Sequence, residues 1–311
     1  MINPISNETR FLHAIEIGLG AWAWGDRVVW QYGRGYTDKD IRQAFQTSIK
    51  EGNRFIDTAE IYGSGRSERL TGQFLKETDQ PVLVATKFFP MPWRLTQYAL
   101  PSALKRSLGR LGLERVDLYQ IHMPSPLLSV ETMMDGMLLC LDKGWTRTVG
   151  VSNFNHHQML RAFSALARKN IPLASNQVHY SLLNRSIELN GLLARCKELG
   201  VRLIAYSPLE MGLLTGKYSA ANPPPGSRGV RYLGVLNRIQ PLLKLMTEIG
   251  QDQGGRSHSQ IALNWCICKG TLPIPGAKNA DQAVDNAGAL GWHLTAEEVA
   301  RLDEASRGLY V

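Results

Sequence analysis

Eight short runs of almost uniformly apolar residues, most of them followed by a segment of helical periodicity, limit this chain more than any other feature. They lie at residues 14–20, at the run ending in Asp57, and at 82–87, 116–122, 148–151, 174–178, 203–206 and 271–274. A strand with one face in water alternates apolar and polar residues, whereas a strand that is apolar throughout needs cover on both faces. The intervening segments supply that cover. In residues 37–50, Thr37 is a good N-cap, and Ile41, Phe45 and Ile49 recur every fourth residue on one face. Comparable helices are expected at 67–77, 101–111, 130–142, 157–168 and 187–198. Eight strands wrapped in this way close into a (β/α)8 TIM barrel, an α/β fold spanning residues 1–311 as one domain. A doubly wound sheet would instead call for Gly-x-Gly-x-x-Gly after a strand. Neither Gly18-Leu19-Gly20-Ala21-Trp22-Ala23 nor Gly63-Ser64-Gly65-Arg66-Ser67-Glu68 has the third glycine.

One segment interrupts the rhythm. Residues 207–239 contain Asn222-Pro223-Pro224-Pro225-Gly226-Ser227-Arg228-Gly229, which predicts a long loop without regular structure after the seventh strand, read here as a flap over a ligand. Thr295, with Glu298 three residues on, opens a terminal helix. With 44% hydrophobic and 20% charged residues the chain has ample core. Its formal charge of +8 invites a polyanionic partner, but the lysines and arginines cluster no further than dipeptides such as Lys105-Arg106, which argues against nucleic acid. Cys140, Cys196, Cys266 and Cys268 form no Cys-x-x-Cys pair, so reduced thiols and no metal are expected. Residues 1–6 carry no basic or apolar leader, and no run reaches the ~18 apolar residues of a membrane span. A cytoplasmic monomer, away from membranes, is the expectation.

Three of the apolar runs end in titratable residues: Asp57, Lys87 and His122, with Tyr62 in the loop after the first. Polar groups at the carboxyl ends of successive buried strands mark the catalytic face of a parallel barrel. Each residue alone has an ordinary structural explanation; their shared position at neighbouring strand ends is what points to chemistry. In that geometry Tyr62 protonates a carbonyl oxygen, and Lys87 favours the tyrosinate and brings proton transfer toward neutral pH, since a phenol near pKa ~10 is otherwise a sluggish acid. Asp57 holds Lys87, and His122 orients the carbonyl.

These segments are where a resemblance enters. Ile56-Asp57-Thr58-Ala59 with Tyr62-Gly63, Ala85-Thr86-Lys87 and Asp117-Leu118-Tyr119-Gln120-Ile121-His122 resemble the tetrad segments of the aldo-keto reductase superfamily. Gly150-Val151-Ser152-Asn153-Phe154, Asn176-Gln177, Tyr206-Ser207-Pro208-Leu209, Leu213-Leu214-Thr215-Gly216-Lys217 and Ile274-Pro275-Gly276 resemble its cofactor segments, in the same order. Gly20-Ala21-Trp22-Ala23-Trp24-Gly25, Pro92-Trp93-Arg94-Leu95-Thr96 and the stretch from Asn264 to Gly270 look most like the branch of plant plastid pyridoxal reductases and their cyanobacterial relatives.

The resemblance implies a barrel reductase that reduces small carbonyl substrates, pyridoxal and methylglyoxal among the candidates, with NADPH/NADP as cofactor. It implies a catalytic set of Asp57, Tyr62, Lys87 and His122. Ser152, Asn153 and Gln177 would meet the nicotinamide carboxamide, Tyr206 would stack under the ring, and Trp22 joins the cofactor set. Ser207, Leu209, Gly212, Leu213, Gly216 and Lys217 resemble a pyrophosphate strap. Gly276 and Lys278 open a helix whose amino terminus suits a phosphate, with Lys278 the candidate for the 2′-phosphate of NADP and Gln282 and Asn286 for the adenine. Asp285 stands where many relatives have glutamate, and Met123 where many have tryptophan. Trp24 and Trp93 are the candidates to replace that pocket wall, with Trp30 as a further one, and Arg94 is a candidate contact for an anionic or hydroxylated substrate. The rival reading is a cofactor-binding regulatory subunit with slow turnover.

Overall fold

The computed structural model describes residues 6–309; residues 1–5, read above for a leader, lie outside the described residues. Eight strands follow in chain order: β1 (Leu19–Gly20), β2 (Phe55–Asp57), β3 (Leu83–Phe88), β4 (Val116–Ile121), β5 (Thr146–Ser152), β6 (Leu173–His179), β7 (Arg202–Tyr206) and β8 (Leu272–Ile274). Each pairs in parallel with the next. The ring closes through a parallel bridge between Gly20 and Gly276, with the Gly18 and Gly20 N–H groups donating to the Pro273 and Pro275 carbonyls, each at 2.9 Å. This is a (β/α)8 barrel.

β1 is shorter than residues 14–20, because Ala14 instead caps a short helix at Arg10–His13. Closure requires glycine here: a Cβ on Gly18 would lie 2.6 Å from the Phe55 ring, and one on Gly20 would lie 2.8 Å from the Ile274 carbonyl oxygen. The expected helices appear at Asp38–Lys50, Arg66–Leu75, Ala99–Leu111, Val130–Asp142 and His156–Ala167. The next is split into Ser186–Leu189 and Leu192–Leu199, where Gly191 turns left-handed at φ +77°.

The stretch expected to lack regular structure holds a 3-10 segment, Glu210–Thr215, and a helix, Ser227–Leu236. The proline run stops at Gly226 (φ +68°), and beyond it Tyr232 and Leu236 bury on one helical face. Two further helices, Gln240–Asp252 and His258–Cys268, lead to β8. The terminal helix, Ala296–Ala305, starts as its sequence implies: Thr295 Oγ1 accepts from Glu298 N at 3.2 Å, and Glu298 Oε2 accepts from Thr295 N at 2.7 Å.

Alternation along the strands builds the interior in layers. Phe55, Ala85, Leu118, Ile204 and Leu272 form one apolar cluster, joined by Leu12 of the amino-terminal helix. Two residues further along three of these strands stand Asp57, Lys87 and Gln120, all buried. The same pleat that aims an apolar side chain at the core aims a polar one at the layer above it.

Candidate active site

The carboxyl ends of β2, β3 and β4 bring the four strand-end candidates together. Lys87 Nζ donates to Asp57 Oδ1 in a buried ion pair, to the Thr58 carbonyl at 2.9 Å, and to the Tyr62 hydroxyl at 3.3 Å. Tyr62 reaches this point because the chain reverses tightly after it, with Gly63, Ser64 and Gly65 all at positive φ. A Cβ on Gly63 would lie 2.8 Å from the Gly25 carbonyl oxygen, so only glycine lets the two loops touch. The His122 ring stands edge-on to Tyr62 at 5.6 Å and to Phe89 at 5.5 Å.

The second Asp57 oxygen accepts from Gln177 Nε2 at 2.8 Å and Gln120 Nε2 at 3.3 Å, and Ser175 Oγ donates to Gln120 Oε1 at 3.3 Å. A polar layer thus crosses the barrel from β2 to β6, holding the carboxylate by hydrogen bonds as well as charge. Gln120 was not among the sequence candidates; its signal was a polar residue two before His122 in an apolar run. Burial pulls the Lys87 ammonium down, but Asp57 and Tyr62 beside it prevail and hold it above the usual lysine range. Burial raises Tyr62, and Lys87 offsets this only in part, so the phenol stays protonated and is not drawn toward neutral pH as the sequence suggested. Burial, then the Lys87 charge, lowers His122 to about 3, leaving a neutral imidazole.

A cleft of about 820 Å³ extends from this centre across the carboxyl face. Tyr206, at the end of β7, lies flat on His179 with ring centres 5.3 Å apart and planes 12° apart, and its hydroxyl donates to Asn153 Oδ1 at 3.0 Å. Asn153 (φ +60°) gives its amide N–H to the His122 carbonyl at 3.0 Å and to Ser152 Oγ at 3.1 Å. Behind them, Glu210 is fully buried and takes hydrogen bonds from His179 Nε2 at 2.8 Å and Ser181 Oγ at 2.9 Å. Sequence reading missed His179 and Glu210. Ser207, Glu210, Met211 and Gly212 all have positive φ, which turns this segment around the cleft.

Further along the cleft two cations flank the Trp30 indole, which stands edge-on to Trp22 at 5.6 Å. Lys278 Nζ lies 4.4 Å from the Trp30 ring and 4.8 Å from the Tyr36 ring, and the Arg228 guanidinium lies 5.2 Å from Trp30. Burial, then the charges of Arg228 and Lys217, bring Lys278 down to about 8. Gln282 and Asn286 are locally tied, Gln282 Oε1 accepting the Lys278 N–H at 3.0 Å and Asn286 Nδ2 donating to the Gly276 carbonyl at 3.3 Å. Arg228 sits in the stretch read as a structureless flap over a ligand, a reading that did not single it out as a cleft residue.

Trp22, Asp57, Tyr62, His122, Ser152, Asn153, Gln177, Tyr206, Ser207, Leu209, Gly212, Lys217, Gly276, Lys278, Gln282 and Asn286 line the cleft. Lys87 reaches it through Tyr62. Three expectations, Trp24, Trp93 and Arg94, need correction. Trp24 is buried in the core, its indole N–H donating to the Ala277 carbonyl at 3.1 Å and its ring packed on Phe45 and Phe74. Trp93 is 73% exposed and off the cleft wall. Within the strap segment the Leu213 side chain is fully buried and Gly216 stands against His258, while Gly212, Thr215 and Lys217 on either side of them line the cleft. Arg94 is closed onto Glu60 by a two-pronged ion pair, not open to a ligand.

Comparison with known proteins agrees with this geometry. Residues 16–307 match the model of the Aldo/keto reductase family. The chain is 41% identical over 305 residues to the chloroplastic pyridoxal reductase of Arabidopsis thaliana, covering 94% of this chain and 83% of that protein. Among solved structures it resembles a thermostable aldo-keto reductase, Tm1743, solved with the inhibitor epalrestat, with TM-score 0.77, 30% identity and coverage of 93% and 94%. It also resembles an aldo/keto reductase from Klebsiella pneumoniae in complex with NADP and acetate, with TM-score 0.72, 28% identity and coverage of 93% and 90%. With its barrel, its strand-end charges and this match over nearly the whole length, the chain belongs to the aldo/keto reductase family of oxidoreductases.

Proposed function

We propose that the protein reduces aldehydes and ketones to alcohols with NADPH, Tyr62 delivering the proton. The observation that carries this reading is the Tyr62 hydroxyl at 3.3 Å from a lysine that Asp57 holds charged, on the floor of a large cleft. The residues present suit the cofactor. Lys217, Arg228 and Lys278 line the cleft; burial and then their mutual repulsion lower Lys278, and a bound phosphate relieves the repulsion. Tyr206 offers a flat face backed by His179. Gln177 Nε2 is engaged by Asp57, so its Oε1 is the atom left to accept from a carboxamide. Bound there, NADPH supplies the hydride.

The protein's own groups handle the oxygen. The carbonyl oxygen accepts from the Tyr62 phenol and from the N–H of neutral His122, which stabilises the negative charge that develops on it. Because His122 is uncharged at neutral pH, the proton comes from Tyr62. The tyrosinate left behind faces the Lys87 ammonium, which donates to it while Asp57 and Thr58 hold the amine in place.

Tyr62→Phe should lower kcat for aldehyde reduction by about 10²–10⁴-fold while NADPH still binds, as read from NADPH absorbance and from quenching of tryptophan fluorescence. Undiminished turnover in that variant removes Tyr62 as the acid. Tight NADPH binding with negligible turnover of a broad aldehyde panel by the wild type would favour the regulatory-subunit reading instead.

A further inference from the structure

Tyr206 lines the cleft, and one face of its ring lies on the His179 ring, 5.3 Å away and 12° from parallel. The two residues are register partners in the β6–β7 pair, so their side chains leave the sheet side by side. Rotation about the last torsion of a phenol is soft, and the plane of Tyr206 is therefore set by its surroundings. Its hydroxyl is tied to Asn153 Oδ1 at 3.0 Å, which fixes one point of the ring. The orientation of the ring about that tie falls to His179.

An imidazole has the same soft torsion, but here both ring nitrogens are held. Asn184 Oδ1 accepts from Ser186 N at 3.4 Å and from Ser186 Oγ at 2.9 Å, which turns its amide nitrogen toward His179 Nδ1, 2.8 Å away. Nδ1 accepts that N–H, so the imidazole proton sits on Nε2, which donates to Glu210 Oε2 at 2.8 Å. The same carboxylate oxygen accepts from Ser181 Oγ at 2.9 Å. Among the described residues no lysine or arginine pairs with Glu210, which is buried all the same. A buried carboxylate without a strong cation is costly, and what it secures here is geometry: it stands in the left-handed turn after β7 and pins that turn to the imidazole.

We infer that His179 and Glu210 are positioning residues for the cofactor: their hydrogen-bonded chain sets the plane of Tyr206, the face offered to the nicotinamide ring. Neither lines the cleft, so both act through Tyr206. The inference rests on the reductase reading and adds two residues to that same site. Loosening the chain costs hydride transfer but leaves Lys217, Arg228 and Lys278 in place to hold phosphate, so rate and affinity separate.

His179→Leu and Glu210→Met should each slow NADPH oxidation by an aldehyde in a single turnover about tenfold, while the Kd for NADPH rises less than about threefold. The emission anisotropy of bound NADPH, read with no aldehyde present, should fall in both variants. Glu210→Gln keeps an acceptor for the His179 Nε2–H and should return rate and anisotropy to near the wild-type values. Asn184→Ala, which frees Nδ1 alone, should shift both readings the same way by less, and it carries the test if His179→Leu does not fold. Wild-type rate and anisotropy in these folded variants overturn the inference, as does a rise in Kd equal to the loss in rate, the mark of a merely structural role. Failure of the reductase reading looks different: the wild type itself then reduces no aldehyde, and the anisotropy comparison alone decides on His179 and Glu210.

Discussion

His122 illustrates how much a single side chain's environment decides. An exposed imidazole titrates near neutrality, but here burial and the neighbouring Lys87 ammonium hold it at about 3. A group whose folded pKa is depressed contributes stability that is complete above its unfolded value, ~6.5, and is lost as pH falls toward 3. Wild-type unfolding free energy should therefore drop between pH 6.5 and 4 with a slope approaching about 1 kcal/mol per pH unit more than that of His122→Gln. Urea titrations across that range measure the difference, and parallel curves would sink the assignment. Which residues stood at strand ends was legible from the sequence. The state of their protons was not, because the balance between burial and a neighbouring charge exists only once the strands are side by side. Trp22 and Trp24 make the same point: two residues apart in one loop, the first lines the cleft and the second fills the core beneath it.

Elements are where the site acquires its second half. β6 and β7 carry Gln177, His179 and Tyr206, and the buried Glu210 ties the left-handed turn after β7 back to β6. The helix Ser227–Leu236 brings Arg228 over Trp30 to face the helix-opening Lys278. Arg228→Ala and Lys278→Ala should each weaken NADPH binding about tenfold, Lys278→Ala sparing NADH, with the loss shrinking at 0.5 M salt. Fluorescence titration checks this; unchanged NADPH affinity in both variants would remove the cation cluster from the cofactor site. The core strands and most helices could be read from the sequence because buried parallel strands and amphipathic helices have distinct periodicities. The helix carrying Arg228 escaped because the proline run before it dominates the local signal, while its apolar stripe is short.

Across the whole molecule the two ends of the barrel divide the work. Leu12 and the apolar layer fill the barrel below the polar layer, and the cleft opens above Asp57, Tyr62 and His122 at the carboxyl ends of the strands. Leu12→Ala should cost about 2–5 kcal/mol of unfolding free energy while leaving kcat and KM nearly unchanged. A large change in turnover with stability intact would contradict that separation. By itself the sequence determined the eight-fold alternation, hence the barrel, and the strand ends at which Asp57, Lys87 and His122 had to stand. Such patterns are local, because pleat and helical periods follow from backbone geometry alone. Tertiary structure alone decided that Gln120 and Gln177 hold Asp57, that Glu60 closes Arg94, and that Arg228 joins Lys278. Those pairings link residues up to 120 positions apart, Asp57 and Gln177 being the extreme, and no periodicity reports a contact made only when the ring closes.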